Sequence, residues 1–374
     1  MLLNLGAIAL GVVVILLALN DVFQSVVMPR ATGRGMRISL YFWRSMWFVW
    51  PRLGWRLFPH EIERQEEFLA IFAPLMLITL IGFWISLLIV GFGLILWALR
   101  AGISPPHTSF GAMLYFAGTS LLTIGFGDIV SRHALPRLVS VFAGLAGLSF
   151  LSIVTAFLFA VFGSFQNRET FVVTTAARAG TPPSGVSLLE IAAYSQTQVY
   201  LPMLMIDAQR WAALVMESHL AYPVLAFFRS SHDEQSWIGT LGTLLDAATL
   251  LITTTDGIHY GQARIFYSVG RHAARDLSNY FLIDAADEGV GIERSEFDNA
   301  CDRLAEAGYT LRPRDEAWLR FADLRSRYAS RLNGMARFFE IPPLQWIGDR
   351  STISTTARYT SKNHVPDPHD AKTS

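Results

Sequence analysis

The chain has 374 residues, of which 52% are hydrophobic and only 16% charged, against roughly a quarter charged in an average soluble protein. Acidic and basic residues balance to a formal charge of +0, which removes the broad positive field that nucleic acids need. The one cysteine, Cys301, excludes an intrachain disulfide framework and a cysteine-built metal cluster and suits a reducing cytoplasm. Uncharged apolar runs crowd the chain up to Phe165, while charges are spread at ordinary density after Arg168, so a membrane half and a soluble half are expected.

Leu2 to Asn20 carries no charge and, at 1.5 Å per residue, is long enough to cross a hydrocarbon core of ~30 Å. It predicts a first transmembrane helix within a segment 1–34. A signal peptide fits less well, because the start lacks a positive stretch and no small-residue cleavage site follows the run. In residues 35–67, Tyr41, Phe42, Trp43, Trp47, Trp50 and Trp55 interleave with Arg44, Arg52 and Arg56. That mixture suits a segment lying in the bilayer interface, or one packed against the base of the membrane helices.

Phe68 to Leu99 is a second apolar run, interrupted by Pro74, Gly82, Gly91 and Gly93. Two spans would need close to ~40 residues plus a turn, so one long tilted helix is expected. Phe110 to Leu122 is apolar but too short to cross, which fits a re-entrant helix. Leu135 to Phe165 is a third span. Arg30, Arg34, Arg37, Arg44, Arg52, Arg56 and Arg64 all fall between the first and second spans, against Arg100, Arg132 and Arg137 on the opposite side. The positive-inside rule then places the amino terminus outside and the carboxyl terminus in the cytoplasm.

A linker, 166–185, whose final stretch Ala179 to Gly185 has Pro182-Pro183 at its centre, leads to a cytoplasmic α-helical domain, 186–348. Helices are predicted at Val199 to Glu217, Ser236 to Ile252, Gly261 to Leu282, Glu293 to Ala307 (stopping at Gly308) and Pro313 to Phe339. Residues 349–374 are polar and are expected to be disordered. The fold class expected is an all-α integral membrane protein with three transmembrane helices, a re-entrant helix and a helical cytoplasmic domain.

A cation entering lipid must lose most of its water, and backbone carbonyls can replace that hydration shell. Thr123-Ile124-Gly125-Phe126-Gly127 supplies four consecutive inward carbonyls and a threonine hydroxyl if its backbone alternates in handedness. Glycine at 125 and 127 permits that backbone, since it reaches positive φ without a Cβ penalty. Asp128 would stand at the mouth, where a ring of carboxylates concentrates cations.

From about Phe110 to Gly163 the sequence resembles the potassium channels, in particular the prokaryotic ones with two membrane helices around one pore loop. Thr123 to Asp128 matches their Thr-x-Gly-Tyr/Phe-Gly-Asp signature at every defined position. The resemblance implies a bacterial inner-membrane protein with a pore domain over 68–165: outer helix 68–99, pore helix 110–122, filter 123–128 and inner helix 135–165. It implies potassium held by the carbonyls of Thr123, Ile124, Gly125 and Phe126, with Tyr115 and Phe116 as the aromatic pair that cuffs the filter. Pro136-Arg137-Leu138 opens the inner helix as in that family, and Gly147 occupies its hinge position. Two residues depart from the pattern. Leu122 replaces a usual threonine, and Thr119 stands where some members carry an acid bonded to the filter aspartate, which bears on inactivation and filter stability.

One filter strand per chain cannot enclose an ion, and the motif has no second copy, so a homotetramer is implied. Gly147, Leu151, Thr155 and Phe159 share one helix face, which the resemblance makes the cavity lining, with Phe159 either a gate by dewetting or a packing residue. No span carries the arginine repeat of a voltage sensor, and Gly239-Thr-Leu-Gly242 lies in a helical stretch and is no nucleotide-binding loop.

Glu217, His219, His232, Asp233, His259 and His272 fit no metal-ligand spacing, and no nucleophile elbow stands out. No enzyme activity and no cofactor are therefore expected, and the ligand or partner of the cytoplasmic domain stays open. The stretch around His219, Tyr222-Pro223-Val224-Leu225, Phe227-Phe228-Arg229-Ser230 and Gln235-Ser236-Trp237 looks like the cytoplasmic region of bacterial pore-loop channel proteins. The competing reading of the whole chain is a membrane-anchored sensor with a vestigial pore.

Overall fold

The computed structural model describes residues 2–27, 38–59, 61–106, 109–180, 183–230, 235–256, 261–283, 291–341 and 346. Arg30, Arg34, Arg37, Pro182, His232, Asp233, His259 and the tail 349–374 lie outside them. The chain is an all-α membrane protein that divides into two compact units. Residues 1–165 with 218–228 form the first, and 166–217 with 229–374 the second.

In the first unit, α1 (Leu2–Val22) runs into a π-helical turn, Phe23–Val27. Next come α2 (Ile38–Leu57) and α3 (Ile62–Ala98), the latter unbroken through Pro74. A short antiparallel pair, β1 (Ile103–Ser104) with β2 (Val130–Ser131), closes the loop that holds α4 (Phe110–Leu121). The helix α5 (Ala134–Ala179) follows. Helices α1, α3 and α5 are each long and apolar enough to cross a membrane.

The core of this unit joins Trp84, Leu88, Phe92 and Leu96 of α3 to Met113, Phe116, Ala117 and Leu121 of α4 and Ala143, Phe150 and Val154 of α5. Helix α1 packs on α3 through small residues. A Cβ added to Gly11 would lie 2.6 Å from the Gly91 carbonyl oxygen, the close backbone approach that replaces hydrophobic drive inside lipid. Further along the same contact the buried Asp21 carboxylate accepts a 2.8 Å hydrogen bond from the Trp84 indole.

The second unit is built around α8 (Trp237–Thr253), every residue of which is buried, Asp246 and four threonines included. It packs against α6 (Gly185–Tyr194), α9 (Gly261–Tyr280), α11 (Arg314–Ser326) and α12 (Ala329–Phe338). Helix α10 (Arg294–Glu306) leans on α6, where Arg303 Nε donates to Glu190 at 2.7 Å.

Three expectations change. The inner helix does not end at Phe165 but continues to Ala179, so most of the expected linker is helical. Charge ends an apolar run without ending a helix, and here Arg168 and Glu169 pair within it at 2.8 Å. The predicted Pro313 to Phe339 helix is two helices, broken at Arg327-Tyr328. Finally, the stretch read as cytoplasmic divides. In α7 (Leu201–Ala221) the last turn, with the 3-10 helix Pro223–Phe227 and Phe228, belongs to the first unit. Phe227 lies 5.0 Å from Trp47 and 5.5 Å from Phe72, ring to ring, and Phe228 lies 5.4 Å from Phe165.

Candidate ion pathway

Helix α4 starts at Ser109, whose hydroxyl caps the Ala112 N–H at 3.3 Å, and buries Met113, Phe116, Ala117, Thr119 and Leu121. After Leu121 the chain turns back over the end of the helix. Thr123 N donates to the Ser120 carbonyl at 3.1 Å, while Ile124 N and Gly125 N both donate to the Thr119 carbonyl, at 2.9 and 3.3 Å. The helix C-terminus, its partially negative end, therefore directs the start of the Thr123 to Asp128 segment.

Along that segment φ is positive at Thr123 (56°), Gly125 (58°) and Gly127 (82°), and at none of Ile124, Phe126 and Asp128. Alternation of left- and right-handed residues lets successive carbonyls face the same way. A uniform strand would send them to opposite sides in turn. Every residue from Leu122 to Asp128 is exposed in the single chain.

The two members of the aromatic pair have different surroundings. Tyr115 stacks parallel on Phe126 with ring centroids 6.4 Å apart. Phe116 instead points into the core between α3, α4 and α5. Thr119 is buried and donates its hydroxyl to the Phe116 carbonyl at 3.1 Å, so its side chain serves the helix. The far end of the loop is pinned by the β1–β2 pair and by Arg132 N donating to the Gly102 carbonyl at 2.8 Å.

On α5, Leu151, Thr155 and Phe159 are exposed, Phe159 to 77%. Pro136, Ala143, Phe150, Val154, Phe157 and Val161 form the opposite, buried stripe. Gly147 lies elsewhere: a Cβ there would fall 1.7 Å from the Leu121 carbonyl oxygen, and the helix runs through it without a break. Sequence reasoning missed this contact and the Tyr115–Phe126 stack. The first carries no local signal, and the second needs the loop's three-dimensional course.

Residues 83–164, which contain α4, the exposed loop and the packed half of α5, match the family model described as "Ion channel". That match covers less than a quarter of the chain, and over it the sequence is similar to ion channels. It leaves α1, α2 and the second unit outside. The uncharacterized membrane protein YdjJ of Bacillus subtilis (strain 168) is 24% identical over 190 residues, covering 50% of this chain and 55% of that protein. The chain thus spans about half the length of the curated relative it matches. No solved structure matches it.

Proposed function

We propose that the chain is one subunit of a homotetrameric potassium channel in the bacterial inner membrane, conducting passively through a filter made by Thr123, Ile124, Gly125, Phe126 and Gly127. The observation that carries this reading is the alternation of φ sign from Thr123 to Asp128, which supplies a row of carbonyl ligands at the end of a short apolar helix. Thr123, Ile124, Gly125 and Phe126 hold the ion by their carbonyls, and Asp128 gathers cations at the mouth. Tyr115 supports the loop by stacking on Phe126, Thr119 supports it through its backbone carbonyl, and Phe116 acts from the core behind them.

The tetramer is supported by the bare surface of the filter segment: a ligand row exposed along its full length in one chain becomes a binding site when three further copies face it. Leu151, Thr155 and Phe159 line the cavity, with Phe159 at the constriction. The amino terminus lies outside and the second unit in the cytoplasm, where it modulates opening without a voltage sensor. Reversal potentials of the reconstituted protein between potassium and sodium solutions test the proposal. A strong preference for potassium is expected, and equal permeability to the two ions overturns it.

A further inference from the structure

Helix α2 lies outside residues 83–164 and has a face that the fold does not cover. The helix carries Arg44, Arg52 and Arg56 and no acidic residue. Its inner face is held hard against α3. Trp50 stacks on Phe68 at 4.5 Å and donates its indole N–H to the Phe68 carbonyl at 3.0 Å. Trp47 meets Phe72 at 4.8 Å, and a Cβ on Gly54 would fall 2.9 Å from the Phe68 ring.

These contacts fix the depth of α2. Just before Phe68 the chain carries Glu61, Glu63, Arg64, Glu66 and Glu67, and from Phe68 to Leu99 it carries no charge at all. Helix α2 is thus anchored where the second span passes from water into hydrocarbon. Its free face presents two neighbouring rows at four-residue spacing. One is Val49, Leu53 and Leu57, exposed large apolar side chains; the other is Phe48, Arg52 and Arg56, also exposed. The Arg52 guanidinium lies 3.6 Å over the Phe48 ring, and neither Arg52 nor Arg56 has an acidic partner among the described residues.

We infer that this face binds anionic phospholipid in the leaflet where α3 begins. The Val49–Leu53–Leu57 row enters the acyl region, and Arg52 and Arg56 reach the phosphates of lipids bearing net negative charge. An apolar row beside arginines without acidic partners, at the polar boundary of a membrane span, is poorly suited to water and complementary to such headgroups. Removing both charges is expected to weaken the attraction on the order of 25-fold, at about fivefold for each arginine near the surface.

The test is binding of phosphatidylglycerol and of phosphatidylcholine to the purified full-length protein in detergent, measured by native mass spectrometry. The native protein is expected to retain phosphatidylglycerol in preference to phosphatidylcholine. R52Q/R56Q should lose most of that preference and R52K/R56K should keep it, with both variants matching the native melting temperature. Equal retention of the two lipids by the native protein overturns the inference. So does an R52Q/R56Q variant with undiminished preference, or displacement of phosphatidylglycerol by millimolar inorganic phosphate, which would make the site one for free anion. No ion current is read, so the outcome is independent of the selectivity experiment.

Discussion

The backbone of Gly147 rests directly on the Leu121 carbonyl: α5 crosses the end of α4 at the one point where a Cβ would lie 1.7 Å from that oxygen. Gly147→Ala therefore has no side-chain adjustment available and must push the two helix backbones away from each other. Overpacking of this kind costs roughly 3 kcal/mol or more, the upper end of what buried insertions show. A marked fall in melting temperature in detergent is expected, with loss of the proposed tetramer on size exclusion. A variant of native stability with altered opening alone would return Gly147 to the role of a hinge.

Gly125 and Gly127 respond differently, since a Cβ at either meets nothing within 4 Å in the single chain. Their constraint is positive φ, which costs an L-residue about 1–2 kcal/mol. Gly125→Ala and Gly127→Ala should thus leave the fold nearly as stable as the native protein and abolish potassium flux into vesicles. Native flux through either variant would argue against this segment as the ion path.

The second unit has a buried polar centre whose removal should be costly. Asp246 accepts hydrogen bonds from Arg325 Nε at 3.0 Å and from the Tyr328 hydroxyl at 2.6 Å, and Arg325 and Asp246 are almost wholly buried. Burial pushes the Asp246 carboxyl upward, while Arg325 and Tyr328 pull it back. Burial also keeps the Tyr328 hydroxyl protonated well beyond its usual range, so it remains a donor. Arg325→Met leaves an unpaired buried carboxylate and should destabilise the unit by roughly 3–5 kcal/mol. Tyr328→Phe removes one hydrogen bond to a charged acceptor, about 1.5–3 kcal/mol. Denaturant unfolding followed by circular dichroism measures both, and the larger loss is expected for the arginine.

Cys301 is buried, and burial pushes its thiol from the ordinary 9.0 up to about 11. The folded chain keeps this proton where an unfolded chain releases it, so stability should fall as pH rises from about 9 to about 11. At neutral pH the thiol should resist maleimide until denaturant is added. The topology is accordingly tested at exposed positions, Leu2→Cys and Glu306→Cys. Impermeant reagent on intact cells should label the first and spare the second, and the reverse pattern would invert the proposed orientation.

Much of this architecture could be read from the chain itself. The Phe68 to Leu99 run has no stop strong enough to divide it, and α3 is one helix through Pro74. The short Phe110 to Leu122 stretch is too brief for a span, and α4 is correspondingly short. What escaped was decided by distant partners. Nothing local at Arg327-Tyr328 breaks a helix, and the break coincides with the convergence of Arg325 and Tyr328 on Asp246. Likewise, hydropathy marks where α5 leaves the apolar region but says nothing of where its hydrogen-bonded ladder ends. Tyr222 to Phe228 reads as one more soluble segment until Phe227 is found among Trp47 and Phe72.

That return of residues 218–228 has a consequence for biosynthesis. The aromatic seat made by Trp43, Trp47 and Phe72 leaves the ribosome long before Phe227, its last ring, is translated. At about 5–20 residues per second, the 166–228 stretch takes roughly 3 to 13 s to make, and for that interval the membrane unit stands incomplete. A stop codon after Gln166 makes the interval permanent. It deletes the second unit and also a piece of the first, so any change in channel opening in that truncation would mix two causes. An internal deletion that spares 218–228 keeps them apart.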